Sequence, residues 1–209
     1  LLTNDSSAAT RPDPASDARS LRRRLRSESR PSHEELDGRF AGMTREASPV
    51  AYARFLQANE ACHRMLEPVL AASPLMEAFP DLKLHRRAPS LSADLALMGL
   101  EALDAPGFSR SRLTVAQAVG VVYVLEGSRL GAGYIRAEIR RHGTTKAWEA
   151  ASFAYLEGPD EPHALRNFLA AASAVLLDEA DVDAAIAAAD ETFRYFLRVE
   201  ALTRSGALN

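Results

Sequence analysis

Apolar residues recur at helical spacing along nearly the whole chain, and prolines, glycines and capping residues punctuate them. From Ser16 the pattern turns helical, with Leu21, Leu25, Leu36 and Phe40 separated by arginines. Pro31 interrupts that stretch, so the pattern predicts either two helices meeting near Ser29 to Pro31 or one kinked helix. Ser48-Pro49 reads as an N-cap and first-turn proline, opening a helix through Tyr52, Phe55, Leu56, Met65, Leu66, Val69 and Leu70 to about Ser73-Pro74. Residues 74–90 carry three prolines and read as a connector with a short turn of helix. A further helix is expected from Ser90 or Ser92 to about Leu103, with a break at Asp104 to Gly107. The longest helix is predicted from Thr114 to about His142, stopped by Gly143. Residues 143–161 are loop-like but hold Trp148, Phe153 and Tyr155. Pro162 should open a helix through Leu177, and Asp181 is expected to cap a last one that buries Ile186, Phe193, Phe196 and Leu197. Strand signals are weak and no repeat is visible. The pattern predicts an all-α, single-domain multi-helix bundle over residues 16–205, preceded by a disordered tail over 1–15, which is too polar and proline-bearing to offset ordering entropy.

Composition narrows the function classes. Hydrophobic residues make up 47% and charged ones 25% of the 209, enough for a core without staples. A net charge of −3 gives no global pull toward nucleic acid. The arginine run Arg22, Arg23, Arg24, Arg26 and Arg30 lacks interleaved aromatics and reads mostly as a solvated face. The single cysteine, Cys62, excludes an intramolecular disulfide and fits a reducing compartment. No apolar run is long enough to span a membrane and no secretory leader is readable, so a cytoplasmic location is expected.

The long helix poses a problem. Val119 to Ile135 contains Gly120, Gly127, Gly131 and Gly133 among strongly apolar neighbours. Each glycine inside a helix costs about 1 kcal/mol relative to alanine. At roughly 100° per residue, Gly120, Gly127, Gly131 and Tyr134 share one face, and Gly133 does not. Close helix packing, a kink, and a flat ligand against the backbone each account for such a stripe.

Of five histidines, His85, His142 and His163 read as surface residues. Glu60-Ala-Cys-His63 is a Glu-x-x-His motif of the kind that supplies ligands in di-iron bundles, but no second copy accompanies it. His33 has Asp37 one helical turn on, where a carboxylate could fix the tautomer of a metal-bound imidazole. If the helix is continuous, Arg26 and Arg30 lie on a similar face, where guanidinium forks suit carboxylates.

Two stretches together resemble the bacterial heme oxygenase family. Leu25-Arg-Ser-Glu-Ser-Arg-Pro-Ser-His33-Glu-Glu-Leu-Asp37 looks like the family's proximal helix, and Tyr123-Val-Leu-Glu-Gly127-Ser128-Arg-Leu-Gly131-Ala like its distal helix. Weaker likeness extends over about residues 20–200. The resemblance implies the heme oxygenase fold and oxidative cleavage of haem to biliverdin, carbon monoxide and ferrous iron, using O2 and external electrons. It implies His33 as the iron ligand, with Asp37, Arg26 and Tyr123 as further haem-binding residues and Gly127, Ser128 and Gly131 as the catalytic distal set. Ser128 stands where some members carry an Asp, and Ala132 replaces a second consecutive glycine. Expected partners are haem, an electron-donor protein or small reductant, and a biliverdin-accepting phytochrome, with the chain a monomer free of nucleic acid and membrane. A non-catalytic haem-binding or sensory protein on the same fold is the alternative.

Overall fold

The structure, a computed structural model, describes residues 14–45, 48–142, 148–157, 163–176 and 178–205. These form eight helices and no strand: α1 (Pro14–Glu28), α2 (Arg30–Arg45), α3 (Pro49–Ala71), α4 (Leu75–Ala78), α5 (Ala88–Leu97), α6 (Val115–His142), α7 (Ala164–Val175) and α8 (Glu179–Ser205). The tail expected over 1–15 lies outside the described residues up to position 13, and Pro14 and Ala15 already belong to α1. The predicted stop at Gly143 and opening at Pro162 also lie outside them. Among the described residues no helix is long and apolar enough to cross a membrane.

Local chemistry accounts for several helix ends. Ser48 caps α3, its side chain accepting from the Ala51 amide at 3.3 Å. Thr114 and Gln117 form a reciprocal capping box before α6: the Gln117 amide donates to Thr114 Oγ1 at 3.2 Å and the Thr114 amide to Gln117 Oε1 at 3.0 Å. Two expected ends move. Helix α5 stops at Leu97, six residues before the expected Leu103, because Gly99 takes a φ of 64° and closes a Schellman turn. In that turn the Leu100 amide donates to Leu95 O and the Gly99 amide to Ala96 O. Helix α8 is capped by Asp178, not Asp181: the Asp178 carboxylate accepts from the Asp181 amide at 2.8 Å.

The prolyl interruption resolves into two helices meeting at Ser29. Pro31 has no N–H to return to the preceding turn, yet bonding runs through the elbow. The Ser29 amide and hydroxyl both donate to Leu25 O, at 3.2 and 2.6 Å, and the His33 amide donates to Ser29 O at 3.1 Å. Arg24, expected on a solvated face, instead ties α1 to α8 through Glu179 and Asp183, each at 2.6 Å.

Two apolar cores hold the bundle. The larger draws Leu25 of α1, Leu66 of α3, Val119 and Val122 of α6, Phe168 of α7 and Phe196 of α8 together. The smaller gathers Tyr52 and Leu56 of α3, Leu91 of α5, and Trp148 and Tyr155 from the segment 148–157. Helices α6 and α8 make the most extensive helix pair. Their approach is set by Gly120: a Cβ there would lie 2.0 Å from Ala185 O and 2.9 Å from the Ala189 amide. Opposite it, Ala185, Ala188 and Ala189 of α8 are all fully buried. At Gly127 a Cβ would meet nothing within 4 Å. The stripe therefore divides: Gly120 is there for helix packing, and Gly127 borders open space.

The two positions should respond oppositely. Gly120→Ala forces backbone apart and is expected to cost about 2 kcal/mol or more, as overpacking does. Gly127→Ala removes a helix-interior glycine without a clash and should raise stability by up to ~1 kcal/mol. Urea midpoints of the haem-free variants measure both, and equal losses at the two sites would refute the division.

Candidate active site

Helix α2 packs against α3, α6 and α8. On it, His33 Nδ1 lies 3.4 Å from Asp37 Oδ2, and both side chains are more than half exposed. The His33 ring meets the edge of Phe193 of α8 at 5.2 Å between centroids, which fixes one side of the imidazole. With Nδ1 turned to Asp37, Nε2 is the nitrogen left for a ligand. Arg30 does not join this group; it pairs with Glu34 at 3.5 Å.

The α1–α2 elbow faces Tyr123 of α6. Burial pushes the half-buried Tyr123 phenol up from its ordinary value, and the Ser29 hydroxyl with Arg26 and Arg22 pulls against that rise. Arg26 is exposed beside it. The fold thus brings Arg26 and Tyr123, 97 positions apart in the chain, to one place, and adds Ser29. One turn beyond Tyr123, Gly127 is half-buried and borders the open space described above. Ser128 donates from Oγ to Leu125 O at 2.7 Å and shares a side-chain hydrogen bond with Tyr155. Gly131 continues α6 one turn later; its surroundings lie outside the described residues.

Tyr155 comes from the segment the sequence pattern left as a loop. It is fully buried, which pushes its phenol up, and its hydroxyl also reaches Asn59 Oδ1 at 3.5 Å. The Arg87 guanidinium sits 5.9 Å from its ring centre. Asp94 holds that segment down: its carboxylate accepts from the Ser152 hydroxyl and from the Ala154 and Tyr155 amides, at 3.0 and 2.8 Å for the amides. Local sequence patterns give no sign of Ser29, Asn59 and Tyr155 at this site, because each is brought in by tertiary packing.

His63 is not a di-iron ligand. Glu60 accepts from Arg64 and Ser92, and among the described residues no cluster of His, Cys, Asp and Glu could hold a metal ion. His63 is buried and pairs through Nδ1 with Glu67 Oε1 at 3.1 Å. The same Glu67 oxygen accepts the Arg87 and Ala88 amides at 2.6 and 3.0 Å, capping α5 from another helix. Burial pushes the Glu67 carboxyl up, but these hydrogen bonds outweigh it and hold it below the usual carboxylate range. His85, expected at the surface, is half-buried. Together with His63, Glu67 and Arg87 it lines a cavity of about 900 Å³ between α3, α4, the connector and α6.

A family model described as heme oxygenase matches residues 19–201. The chain belongs to the heme oxygenase family. It is 28% identical over 165 residues to the heme oxygenase PigA of Pseudomonas aeruginosa, covering 78% of this chain and 83% of that protein. Its fold matches a crystal structure of the NO- and CO-bound heme oxygenase from Neisseria meningitidis, with a TM-score of 0.70 and 22% identity over 88% of this chain and 92% of that one. The all-α heme oxygenase fold expected from the sequence is therefore the fold observed, and the chain is an oxygenase by family.

The Glu67 cap carries a pH prediction. Its folded pKa lies below the ordinary carboxyl value of 4.5, so its stabilisation is present above that value and is lost as pH falls through the lowered one. Glu67→Gln should therefore be less stable than the parent near neutrality, by a margin that shrinks in acid. Urea midpoints across that range test it, and a gap indifferent to pH would show that the carboxylate charge contributes nothing.

Proposed function

We propose that this heme oxygenase cleaves haem to biliverdin, carbon monoxide and ferrous iron in the cleft bordered by α2, α6 and α8, where His33 would hold the iron. The observation that carries this reading is the unfilled space at Gly127, on the helix packed beside that of His33. A half-buried glycine with no atom near its absent Cβ suits a flat macrocycle lying against the backbone. Bound haem supplies an iron centre that takes dioxygen and electrons, and a ring that is itself the substrate. The remaining work falls to this chain's own residues.

Asp37 holds the Nδ1 proton of His33, so that Nε2 presents its lone pair to the iron. Arg26 and Tyr123, drawn together at the elbow, offer a guanidinium and a phenol to the propionates. Gly127 and Gly131 would leave α6 free of side chains where the macrocycle lies. Ser128 replaces a carboxylic acid with a hydroxyl that already has two partners, Leu125 O and Tyr155. It could hold a water or pass a proton, but it adds no strong acid beside the macrocycle. Electrons come from a donor protein or small reductant outside the chain, and a phytochrome is the fitting acceptor of the biliverdin. We assign the haem-binding unit to residues 16–205 as one domain, acting as a cytoplasmic monomer.

His33→Ala should lose the axial imidazole, alter the ferric haem spectrum, and reduce biliverdin formation by more than the ~10- to 100-fold that losing an outer-shell partner costs. Asp37→Asn should fall within that smaller range. Added imidazole should restore part of the His33→Ala spectrum. An unchanged ferric spectrum in His33→Ala would remove the ligand assignment. Haem binding without biliverdin, given reductant and air, would mark a sensory relative instead.

A further inference from the structure

The cavity of about 900 Å³ lies on the side of α6 turned away from the glycine row, where Val122 and Leu125 face it. It is of the size that takes a drug-sized or larger ligand. Its walls are largely apolar, from Leu70 at the end of α3, Leu82 and Leu84 of the connector, and the two α6 residues. Its inner end is polar and unsatisfied. His63 is 2% exposed and Arg87 7% exposed, and neither His63 Nε2 nor Arg87 Nη2 has a hydrogen-bond partner. Glu67 Oε2 makes no hydrogen bond either, but the Arg86 guanidinium pairs with it at 3.8 Å. Buried polar atoms are rarely left unpaired, so His63 Nε2 and Arg87 Nη2 at one cavity end point to a partner that binds there.

The chemistry of the three atoms defines that partner. Arg87 Nη2 is a donor. His63 gives its Nδ1 proton to Glu67, so its Nε2 is a lone-pair acceptor in the neutral ring, and Glu67 Oε2 is an acceptor. A complementary head carries a carbonyl acceptor next to an N–H donor, as a lactam does. The rim adds the exposed cations Lys83 and Arg86, the latter 3.8 Å from Glu67 Oε2, and both suit carboxylates. An apolar conjugated body with terminal lactams and carboxylate side arms is a linear tetrapyrrole.

We propose that this cavity is a second site for a bilin, taking a terminal lactam at His63 and Arg87 and a propionate at Lys83 and Arg86. The inference rests on the reading of the chain as a biliverdin-forming enzyme, since it makes the ligand the reaction's own product. Tyr155, which touches His63 and Arg87 and hydrogen-bonds Ser128, stands between this site and the proposed haem cleft, so product held here leaves the His33 face of the bundle free.

The test uses full-length protein loaded with ferric haem and no reductant, so that the first cleft is filled and no turnover occurs. Biliverdin is titrated in, and its induced circular dichroism reports binding in a chiral site. One further equivalent should bind with the haem Soret band unchanged. Leu82→Trp, which fills the cavity, and Arg87→Met, which removes the donor, should each weaken that binding by about 10-fold or more. Their Soret bands, compared with that of the parent, establish that the fold survives. Absence of a second equivalent, displacement of haem by biliverdin, or binding indifferent to both variants overturns the proposal. Failure of haem to bind through His33 appears separately, as an unchanged spectrum in His33→Ala.

Discussion

The bundle depends on one close approach. Helices α6 and α8 meet where Gly120 has no Cβ and where α8 presents only alanines, so backbone packs nearly on backbone. That crossing brings the two longest helices into the same larger core. Seven residues on, at Gly127, the same helix borders unfilled space. A single helix therefore uses the same residue type for two opposite ends, once to close a gap and once to leave one open.

Buried carboxylates do the rest of the fastening. Asp94 is wholly buried and accepts three hydrogen bonds from the segment 148–157, which would otherwise have little to hold it. Glu67 joins α3 to the start of α5, and Glu200 of α8 accepts from Arg54 of α3 and Arg204 at 2.7 and 2.8 Å. Groups of this kind are expensive to bury unless fully bonded, so each one specifies a geometry as well as contributing stability. Through Asp94 the constraint reaches the candidate active site: it sets Tyr155, and Tyr155 shares a hydrogen bond with Ser128 on α6.

The chain holds two histidine–acid pairs at the same four-residue spacing, and the fold separates their uses. His33 and Asp37 lie half-exposed beside Phe193, open to a ligand from outside. His63 and Glu67 lie buried, with Glu67 committed to capping α5 and His63 directed at an internal cavity. Spacing alone makes the two pairs equivalent. Burial makes one a candidate for binding iron and the other part of an interior polar cluster.

Helix existence and order were legible from the chain because periodicity, Ser48, Thr114 and Pro31 act locally, within a turn or so of themselves. The same holds for the His33 and Gly127 motifs, which carry the family resemblance as short contiguous patterns. Two helix ends depart from the pattern for local reasons: the Gly99 turn closes α5 ahead of the Asp-Ala-Pro-Gly break, and Asp178 caps α8 ahead of Asp181. The tertiary structure alone decided what contacts over long sequence separations decide. Those are the division of the glycine stripe by the position of α8, the meeting of Arg26, Ser29 and Tyr123 at the elbow, and the recruitment of Tyr155 from a loop by Asp94. Periodicity records which face of a helix is apolar. It holds no record of which helix, or which ligand, that face will meet.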